Sequence, residues 1–114
     1  MIEVVGTEDF EQWYLDLGED DTVAVDRAVN RLEQAGVTLG YPHSSEVVSS
    51  KFAMRELRAQ SQGHPLRIFY LFDVRRQAVL LIGGDKTGDK RFYETMVPRA
   101  EKISVEYCRS VDRP

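Results

Sequence analysis

Apolar residues in the first third of the chain recur with the period of two helices. They form two stripes spaced three and four residues apart, namely Phe10, Trp13, Tyr14 and Leu17, and then Val25, Ala28, Val29 and Leu32. This spacing places each stripe along one buried face of a helix. Thr7 is a suitable N-cap for the first helix and Gly18 ends it. A short strand at residues 1–5 is predicted to precede it.

The second helix is expected to begin with Asp20 or Asp21 as its N-cap and to end at Gly36. Because the break at Gly18 is short, the two helices should form an antiparallel hairpin. Residues 37–51 contain Gly40, Pro42 and neighbouring serines, and this composition is typical of an irregular segment.

Three apolar segments then follow at close spacing, Phe52–Ala59, Leu66–Val74 and Ala78–Ile82. The breaks between them are too short to hold crossover helices, so the segments predict an antiparallel meander. The run from Leu66 to Phe72 is almost continuously apolar. We therefore expect it to form the central strand, covered on both faces.

A glycine-rich loop over residues 83–91 and a C-terminal helix over residues 92–107 complete the predicted order. Pro98 should kink or restart that helix because it lacks a backbone N–H. Strand, helical hairpin, meander and helix together predict an α+β fold with the helices packed on one face of the sheet. The length of 114 residues fits a single domain spanning residues 1–114.

The composition is that of an ordinary soluble protein. Hydrophobic residues make up 42% of the chain, which excludes global disorder, and no apolar run approaches the about 20 residues of a membrane-spanning helix. The N-terminus lacks the layout of a signal peptide, so a cytoplasmic location is expected. Cys108 is the single cysteine, which excludes an intramolecular disulfide and a four-cysteine zinc site.

Charge is divided unequally along the chain. Residues 1–50 hold 2 basic and 11 acidic side chains, a net of −9, whereas residues 51–114 hold 13 basic and 8 acidic ones, a net of +5. The C-terminal half could therefore present a basic face that binds a polyanion, although the net charge of the whole chain is −4. An unevenly charged, solvated surface explains the same numbers, and the charge pattern leaves both interpretations open.

Several kinds of catalytic site are excluded by spacing. Gly83 and Gly88 have the gap of a nucleotide-binding P-loop, but Asp89 occupies the position of its lysine. The chain has no Gly-x-Ser-x-Gly turn, and His43 and His64 lie apart in loops without the spacing of metal ligands. We therefore expect no metal and no cofactor.

The remaining candidate site combines basic and aromatic side chains, Arg55, Arg58, Arg67, Lys86, Lys90, Arg91 and Tyr93. Adjacent strands of a meander would bring Arg58, Arg67 and Lys86 together if they project to one face. Such a cluster of cations suits a phosphate, and an aromatic ring can stack on a base. Alternatively, the arginines form surface salt bridges with Glu56, Asp73 and Asp85, and spacing alone slightly favours that interpretation.

Four segments of the chain resemble the HigB-like, phage-derived branch of the RelE/ParE toxin superfamily. They are Met54-Arg55-Glu56-Leu57-Arg58, the strand Leu66 to Asp73, the strand Arg76 to Leu81, and Gly83-Gly84-Asp85-Lys86-Thr87-Gly88. Residues 39–42 and 93–101 are also similar to that branch, so the resemblance covers nearly the whole chain in the same order. It implies the toxin of a bacterial type II toxin–antitoxin pair, with a HigA-like helix-turn-helix antitoxin as partner.

The resemblance also implies an activity and a set of residues. Related toxins cut mRNA in the ribosomal A site with basic residues of the first two meander strands, which correspond here to Arg58 and Arg67, with Arg55 as a neighbour. A cation after the third strand corresponds to Lys86, and an aromatic hydroxyl to Tyr93. The implied enzyme is a metal-independent endoribonuclease, in which a 2′-OH attacks its own 3′-phosphate. ParE-like relatives poison DNA gyrase instead, so a gyrase-binding or degenerate toxin is the alternative.

Overall fold

One mixed five-stranded sheet organises the fold in the computed structural model, which describes residues 1–111. The elements are β1 (Val4–Gly6), α1 (Glu8–Leu15), α2 (Glu19–Ala35), a 3₁₀ turn (Gly36–Thr38), β2 (Ser44–Glu46), β3 (Arg55–Ser61), β4 (His64–Phe72), β5 (Ala78–Asp85) and α3 (Phe92–Val111). The strand order is β1-β5-β4-β3-β2, with β1 parallel to β5 and the other pairs antiparallel. The predicted α+β class is confirmed.

The predicted central strand is also confirmed. β4 lies in the middle of the sheet, and its residues from Leu66 to Leu71 are all buried. The meander is longer than predicted at both edges, because β1 and the three-residue β2 extend it. β2 was missed because three residues inside an irregular segment give no periodic signal. β3 begins and ends later than predicted, since Gln62 and Gly63, both with positive φ, form the tight turn into β4.

The two predicted helices form, with differences at two caps: α1 ends at Leu15 with Asp16 as its C-cap, where Gly18 was predicted to end it. The Thr7 hydroxyl accepts a hydrogen bond from the Phe10 amide and caps α1. Gly18, rather than Asp20 or Asp21, is the N-cap of α2. Both aspartates instead lie in the first turn of α2, where carboxylates complement the positive end of the helix.

Helices cover both faces of the sheet, so the prediction that they pack on one face was wrong. Ile68 of β4 belongs to the cluster that contains the α1 and α2 residues Phe10 and Leu32. Its neighbour Phe69 belongs to the cluster that contains Met96 of α3. Successive residues of a strand point to opposite faces. Because both faces of β4 are apolar, each requires its own helical layer.

Two glycines predicted to lie in a loop belong to β5, where Gly83 is buried and Gly84 is partly buried. A Cβ atom on Gly83 would lie 2.4 Å from a ring carbon of Trp13, and one on Gly84 would lie 2.9 Å from Phe92. The pair therefore allows an aromatic residue to approach each face of the sheet.

α3 continues through Pro98 as one element, where a break was predicted. Pro98 and Glu94 are both exposed, so water can bind the Glu94 carbonyl that Pro98 leaves without a donor. Within residues 1–111, no helix is long and apolar enough to cross a membrane.

Candidate functional site

Arg58 and Arg67 face each other across β3 and β4. They are direct partners in the antiparallel register, and both approach one oxygen of Glu56. Glu56 Oε1 lies 3.1 Å from Nε of Arg67 and 3.6 Å from Nε of Arg58. Glu56 and Arg58 are two residues apart on β3 and therefore share the face of the sheet that α3 covers. The register thus brings together the two arginines that the sequence singled out.

Tyr93 and Lys86 complete this group. The Tyr93 hydroxyl donates a hydrogen bond of 2.8 Å to Glu56 Oε1, and Lys86 Nζ lies 5.1 Å from the centroid of the Tyr93 ring. Burial raises the pKa of Tyr93, and the Glu56 carboxylate raises it further because it accepts the phenol hydrogen. At neutral pH Tyr93 is therefore a phenol and a hydrogen-bond donor. We call these five residues the Glu56 cluster: Glu56, Arg58, Arg67, Lys86 and Tyr93.

The apolar packing around β5 and α3 places Tyr93 in the cluster. Phe92, the first residue of α3, stacks on Phe69 of β4 with ring centroids 5.9 Å apart. This contact is possible because Gly84 has no side chain, and Gly84 is also the β5 partner of Arg67. Docking of Phe92 fixes the start of the helix, so Tyr93 extends towards Glu56.

The two guanidinium groups keep hydrogen-bonding capacity. Arg67 is only 8% exposed, and its Nη1 donates to the Leu66 carbonyl. Among residues 1–111, the buried Nε atoms of Arg58 and Arg67 lie within ion-pair distance of Glu56, but neither makes a hydrogen bond of good geometry. Buried N–H groups whose hydrogen bonds are poorly formed are unfavourable. These groups are therefore suited to an anionic ligand that supplies oxygen acceptors.

A pocket of about 360 Å³ opens beside the two arginines. It lies between α2, the segment before β2 and the edge of β3. Its lining residues are Ala24, Arg27, Arg31, Pro42, His43, Arg58, Ala59, Gln60 and Arg67. We call it the arginine pocket. It connects the Glu56 cluster with two arginines of α2, Arg27 and Arg31.

Three residues predicted to bind RNA lie outside the Glu56 cluster. Arg55 is on the opposite face of the sheet, where its Nε donates to Ser44 Oγ, which in turn contacts the Tyr70 hydroxyl. Because β-strand side chains alternate, Arg55 cannot share a face with Arg58. Lys90 and Arg91 are exposed in the turn before α3.

The predicted salt bridges form only in part. Glu56 contacts both Arg58 and Arg67, but Asp73 accepts hydrogen bonds from residues of its own turn, including the amide of Arg75. Burial raises the pKa of Asp85, but hydrogen bonds from Thr87 outweigh this effect, and the net pKa lies below its usual value. Within residues 1–111, no group of three or more His, Cys, Asp or Glu side chains could hold a metal ion.

Sequence reasoning treated Glu56 only as a salt-bridge partner and missed its position at the centre of the site. A usable signal existed, since Glu56 is the single acid between two arginines in the stretch Arg55-Glu56-Leu57-Arg58. Arg27 and Arg31 were also missed. They are the two basic residues among the first 50, which could have marked them as unusual.

Comparison with known proteins identifies relatives of the whole chain. It is 41% identical over 102 residues to a protein of Mycobacterium tuberculosis named "Putative toxin HigB3", covering 88% of each chain. It is 34% identical over 98 residues to "Putative toxin HigB2" of the same organism, covering 83% of this chain and 49% of that protein. A diaminopimelate epimerase of Geobacillus kaustophilus is 35% identical over 99 residues, but the match covers only 32% of that protein.

A family profile agrees with the first two relatives. The family described as "Phage derived protein Gp49-like" matches residues 12–104, which extend from α1 into α3 and include every residue of the Glu56 cluster. The match covers most of the chain, and the residues that carried the resemblance to HigB-like toxins all lie within it. The chain therefore belongs to the phage-derived Gp49-like family, the HigB-like branch of the RelE/ParE superfamily.

Proposed function

We propose that this protein is the toxin of a bacterial type II toxin–antitoxin pair and that it cleaves mRNA on the ribosome. The observation that carries the proposal is the Glu56 cluster, in which a buried and a partly buried guanidinium, a carboxylate and a phenol converge in a chain whose sequence matches toxin relatives. Cleavage of RNA through its own 2′-OH needs a proton acceptor, cations for the phosphate and a proton donor. The cluster offers one group for each role.

Arg58 and Arg67 are the groups suited to the scissile phosphate. Their opposed positions and the poorly formed hydrogen bonds of their Nε atoms support this assignment, since planar guanidiniums bind phosphate oxygens through paired hydrogen bonds. Lys86 adds a third cation. Its Nζ lies 5.1 Å from the centroid of the Tyr93 ring, beside the two arginines, and we assign it charge stabilisation.

Glu56 and Tyr93 are the groups suited to proton transfer. In this mechanism Glu56 takes the proton of the 2′-OH, the 2′ oxygen forms a bond to phosphorus, and the bond from phosphorus to the 5′ oxygen breaks. Tyr93 gives its proton to the departing 5′ oxygen, a role that its raised pKa allows because it stays protonated at neutral pH. The products are a 2′,3′-cyclic phosphate and a 5′-hydroxyl. No step requires a metal ion.

Growth and RNA profiles after induction test this function. Induced expression in a bacterial host that lacks the antitoxin should arrest growth and deplete translated mRNA, whereas the Arg58→Ala/Arg67→Ala variant should do neither. DNA gyrase supercoiling is assayed in parallel. Loss of supercoiling activity while mRNA stays intact would indicate a gyrase-binding toxin rather than a nuclease. Normal growth at verified expression of folded protein would leave a degenerate toxin that only binds its antitoxin.

The proposed antitoxin partner is a small helix-turn-helix protein with an acidic segment. The positive net charge of residues 51–114 supports this assignment through electrostatic complementarity. Co-expression with the product of the adjacent reading frame should give a stable complex whose association slows as salt concentration rises. An association rate that does not depend on salt would exclude the basic half as the docking surface.

A further inference from the structure

The arginine pocket gathers positive charge from both halves of the chain. Four arginines line it, Arg27 and Arg31 from α2 and Arg58 and Arg67 from the sheet, and His43 lies beside them. None of its lining residues is acidic. Within the described part of the chain, Arg27 and Arg31 have no carboxylate within salt-bridge distance. Glu56, which pairs with Arg58 and Arg67 from outside the pocket, offsets only one of the four positive charges, so the pocket keeps a positive excess.

The positions of Arg27 and Arg31 have no explanation in the stability of α2. Residues 1–50 contain 11 acidic side chains and only these two basic ones, and the two lie four residues apart on one helix face. Like charges at that spacing repel each other. No acidic residue lies three or four positions from either arginine, although α2 contains five acidic residues, so both lack the pairing that would stabilise the helix. They are instead the two charges of α2 that line the pocket.

An exposed aromatic ring lies next to the same pocket. Tyr41 is 80% exposed, and its ring centroid is 5.4 Å from Cζ of Arg58. Pro42 and His43, the next two residues, line the pocket itself. A large exposed aromatic side chain that contacts a guanidinium offers a flat surface on which a nucleobase can stack.

We propose that the arginine pocket binds a nucleotide of single-stranded RNA that neighbours the scissile one. Arg27 and Arg31 bind its backbone phosphate, and Tyr41 stacks on its base. The inference rests on the proposed function, since Arg58 and Arg67 line this pocket and also belong to the Glu56 cluster. It adds a second binding site on α2, outside the residues assigned to cleavage. An acidic peptide would match the charge, but it would not use the exposed ring of Tyr41, so RNA is the ligand that both features favour.

RNA binding in the absence of cleavage tests the proposal. A fluorescently labelled single-stranded RNA with 2′-O-methyl groups cannot be cut by 2′-OH attack, and its affinity is measured by anisotropy over a range of salt concentrations. Arg27→Ala/Arg31→Ala should weaken binding at least 10-fold. It should also reduce the slope of log K against log salt by about 0.7, since the two arginines bind one phosphate and each phosphate neutralised on a single strand contributes about 0.7. Arg99→Ala, which removes an exposed cation of α3, is the matched control and should change little.

Tyr41 variants separate stacking from charge. Tyr41→Ala should weaken binding about 10-fold without changing the salt slope, and Tyr41→Phe should bind as the unmodified protein does. In ribosome-dependent cleavage, the double arginine variant should raise KM and leave kcat unchanged, because it removes only binding. If the unmodified protein does not cleave mRNA but the variants still lose RNA affinity as expected, the proposed nuclease function is wrong. The proposed RNA-binding role of the arginine pocket is then retained.

Three outcomes would contradict the proposal that the arginine pocket binds RNA. The first is RNA affinity that is unchanged in the double arginine variant. The second is unmodified protein that binds no RNA at low salt. The third is a poly-glutamate peptide that binds as tightly as RNA, together with a Tyr41→Ala variant whose affinity is unchanged for both ligands. That result would identify a site for an acidic protein segment instead.

Discussion

Arg58 and Arg67 are directly opposed on neighbouring strands, and Nε of each lies within 3.6 Å of one oxygen of the buried Glu56 carboxylate. Two guanidiniums in such proximity repel each other unless an anion lies between them. Glu56 supplies one negative charge for two positive ones, and Lys86 adds a third cation nearby through Tyr93. The site therefore keeps a positive excess after its internal pairing, which is the condition for binding a phosphate.

Removal of single cations should identify those that stabilise the transition state. Lys86→Ala and Arg67→Ala should each lower the cleavage rate about 10²- to 10³-fold, because each removes charge stabilisation at the phosphate. Arg67 is buried and paired, so Arg67→Ala also destabilises the fold; Arg67→Lys keeps the charge and removes the guanidinium fork. Arg75→Ala, at an exposed turn, is the control. If the folded Lys86 and Arg67 variants cleave at an unchanged rate, the active site does not lie at the Glu56 cluster.

Glu56→Gln should separate proton transfer from positioning. If Glu56 accepts the 2′-OH proton, the variant should lose about 10²- to 10⁴-fold in kcat and the acidic limb of the pH–rate profile should disappear. Glu46→Gln serves as the matched control, because Glu46 is an exposed carboxylate that lines the same small groove as Glu56. If the pH–rate profile of Glu56→Gln keeps the original acidic limb, Glu56 does not accept the proton and only holds the arginines in place.

Alkaline pH should destabilise the fold through two partly buried phenols, Tyr93 and Tyr107. Burial raises the pKa of Tyr93 and of Tyr107, and neighbouring Glu56 and Asp73 raise them further. A raised pKa in the folded state means stability that is complete below the unfolded value of about 10 and is lost as pH rises through the folded value. Urea denaturation at increasing pH should show this loss, and it should be smaller in Tyr93→Phe. An identical decline in both proteins would contradict the assignment.

Much of the fold could be predicted because the spacing of apolar residues clearly follows the periods of strands and helices. The continuous apolar run of β4 correctly predicted a central strand, yet the same run should have implied helices on both faces. The sequence also indicated Arg58 and Arg67 as neighbours. It could not show that Arg27 and Arg31 approach them, because the packing of α2 against the sheet brings these residues together over about 30 positions of chain.

The glycines of β5 show why the rest of the site was harder to predict. Gly83 and Gly84 are typical of a phosphate-binding loop, and nothing in their local sequence indicates that Trp13 and Phe92 occupy the space above and below them. Their role depends on tertiary contacts with distant elements. A glycine required for packing and a glycine required for a loop give the same sequence signal.

Gly83→Ala should therefore destabilise the protein. The new Cβ would lie within 2.5 Å of three ring carbons of Trp13, so the indole or the strand must shift. We expect this shift to lower the free energy of unfolding by about 1–3 kcal/mol. Gly40→Ala is the control, because the nearest atom to its Cβ is a carbonyl oxygen 4.0 Å away. Urea denaturation measures both variants. Equal stability of the two would show that Trp13 does not pack on Gly83.

The chemistry of cleavage makes the most demanding prediction. The Glu56 cluster supplies cations at the phosphate, so the nucleophile should come from the substrate's 2′-OH rather than from metal-bound water. Cleavage should persist in a chelator, and the 5′ fragment should end in a 2′,3′-cyclic phosphate or a 3′-phosphate. A single 2′-deoxy substitution at the scissile nucleotide should abolish the cut.

Ribosome-programmed mRNA is the appropriate substrate, because the proposed function is cleavage of mRNA on the ribosome. Messages with and without the 2′-deoxy nucleotide are compared, and a second deoxy substitution several nucleotides away controls for altered binding. The distant substitution should leave the cut intact, since its hydroxyl takes no part in the reaction. If the message with the deoxy scissile nucleotide is still cut at the same bond, then Glu56 has no hydroxyl proton to accept and the proposed mechanism is wrong.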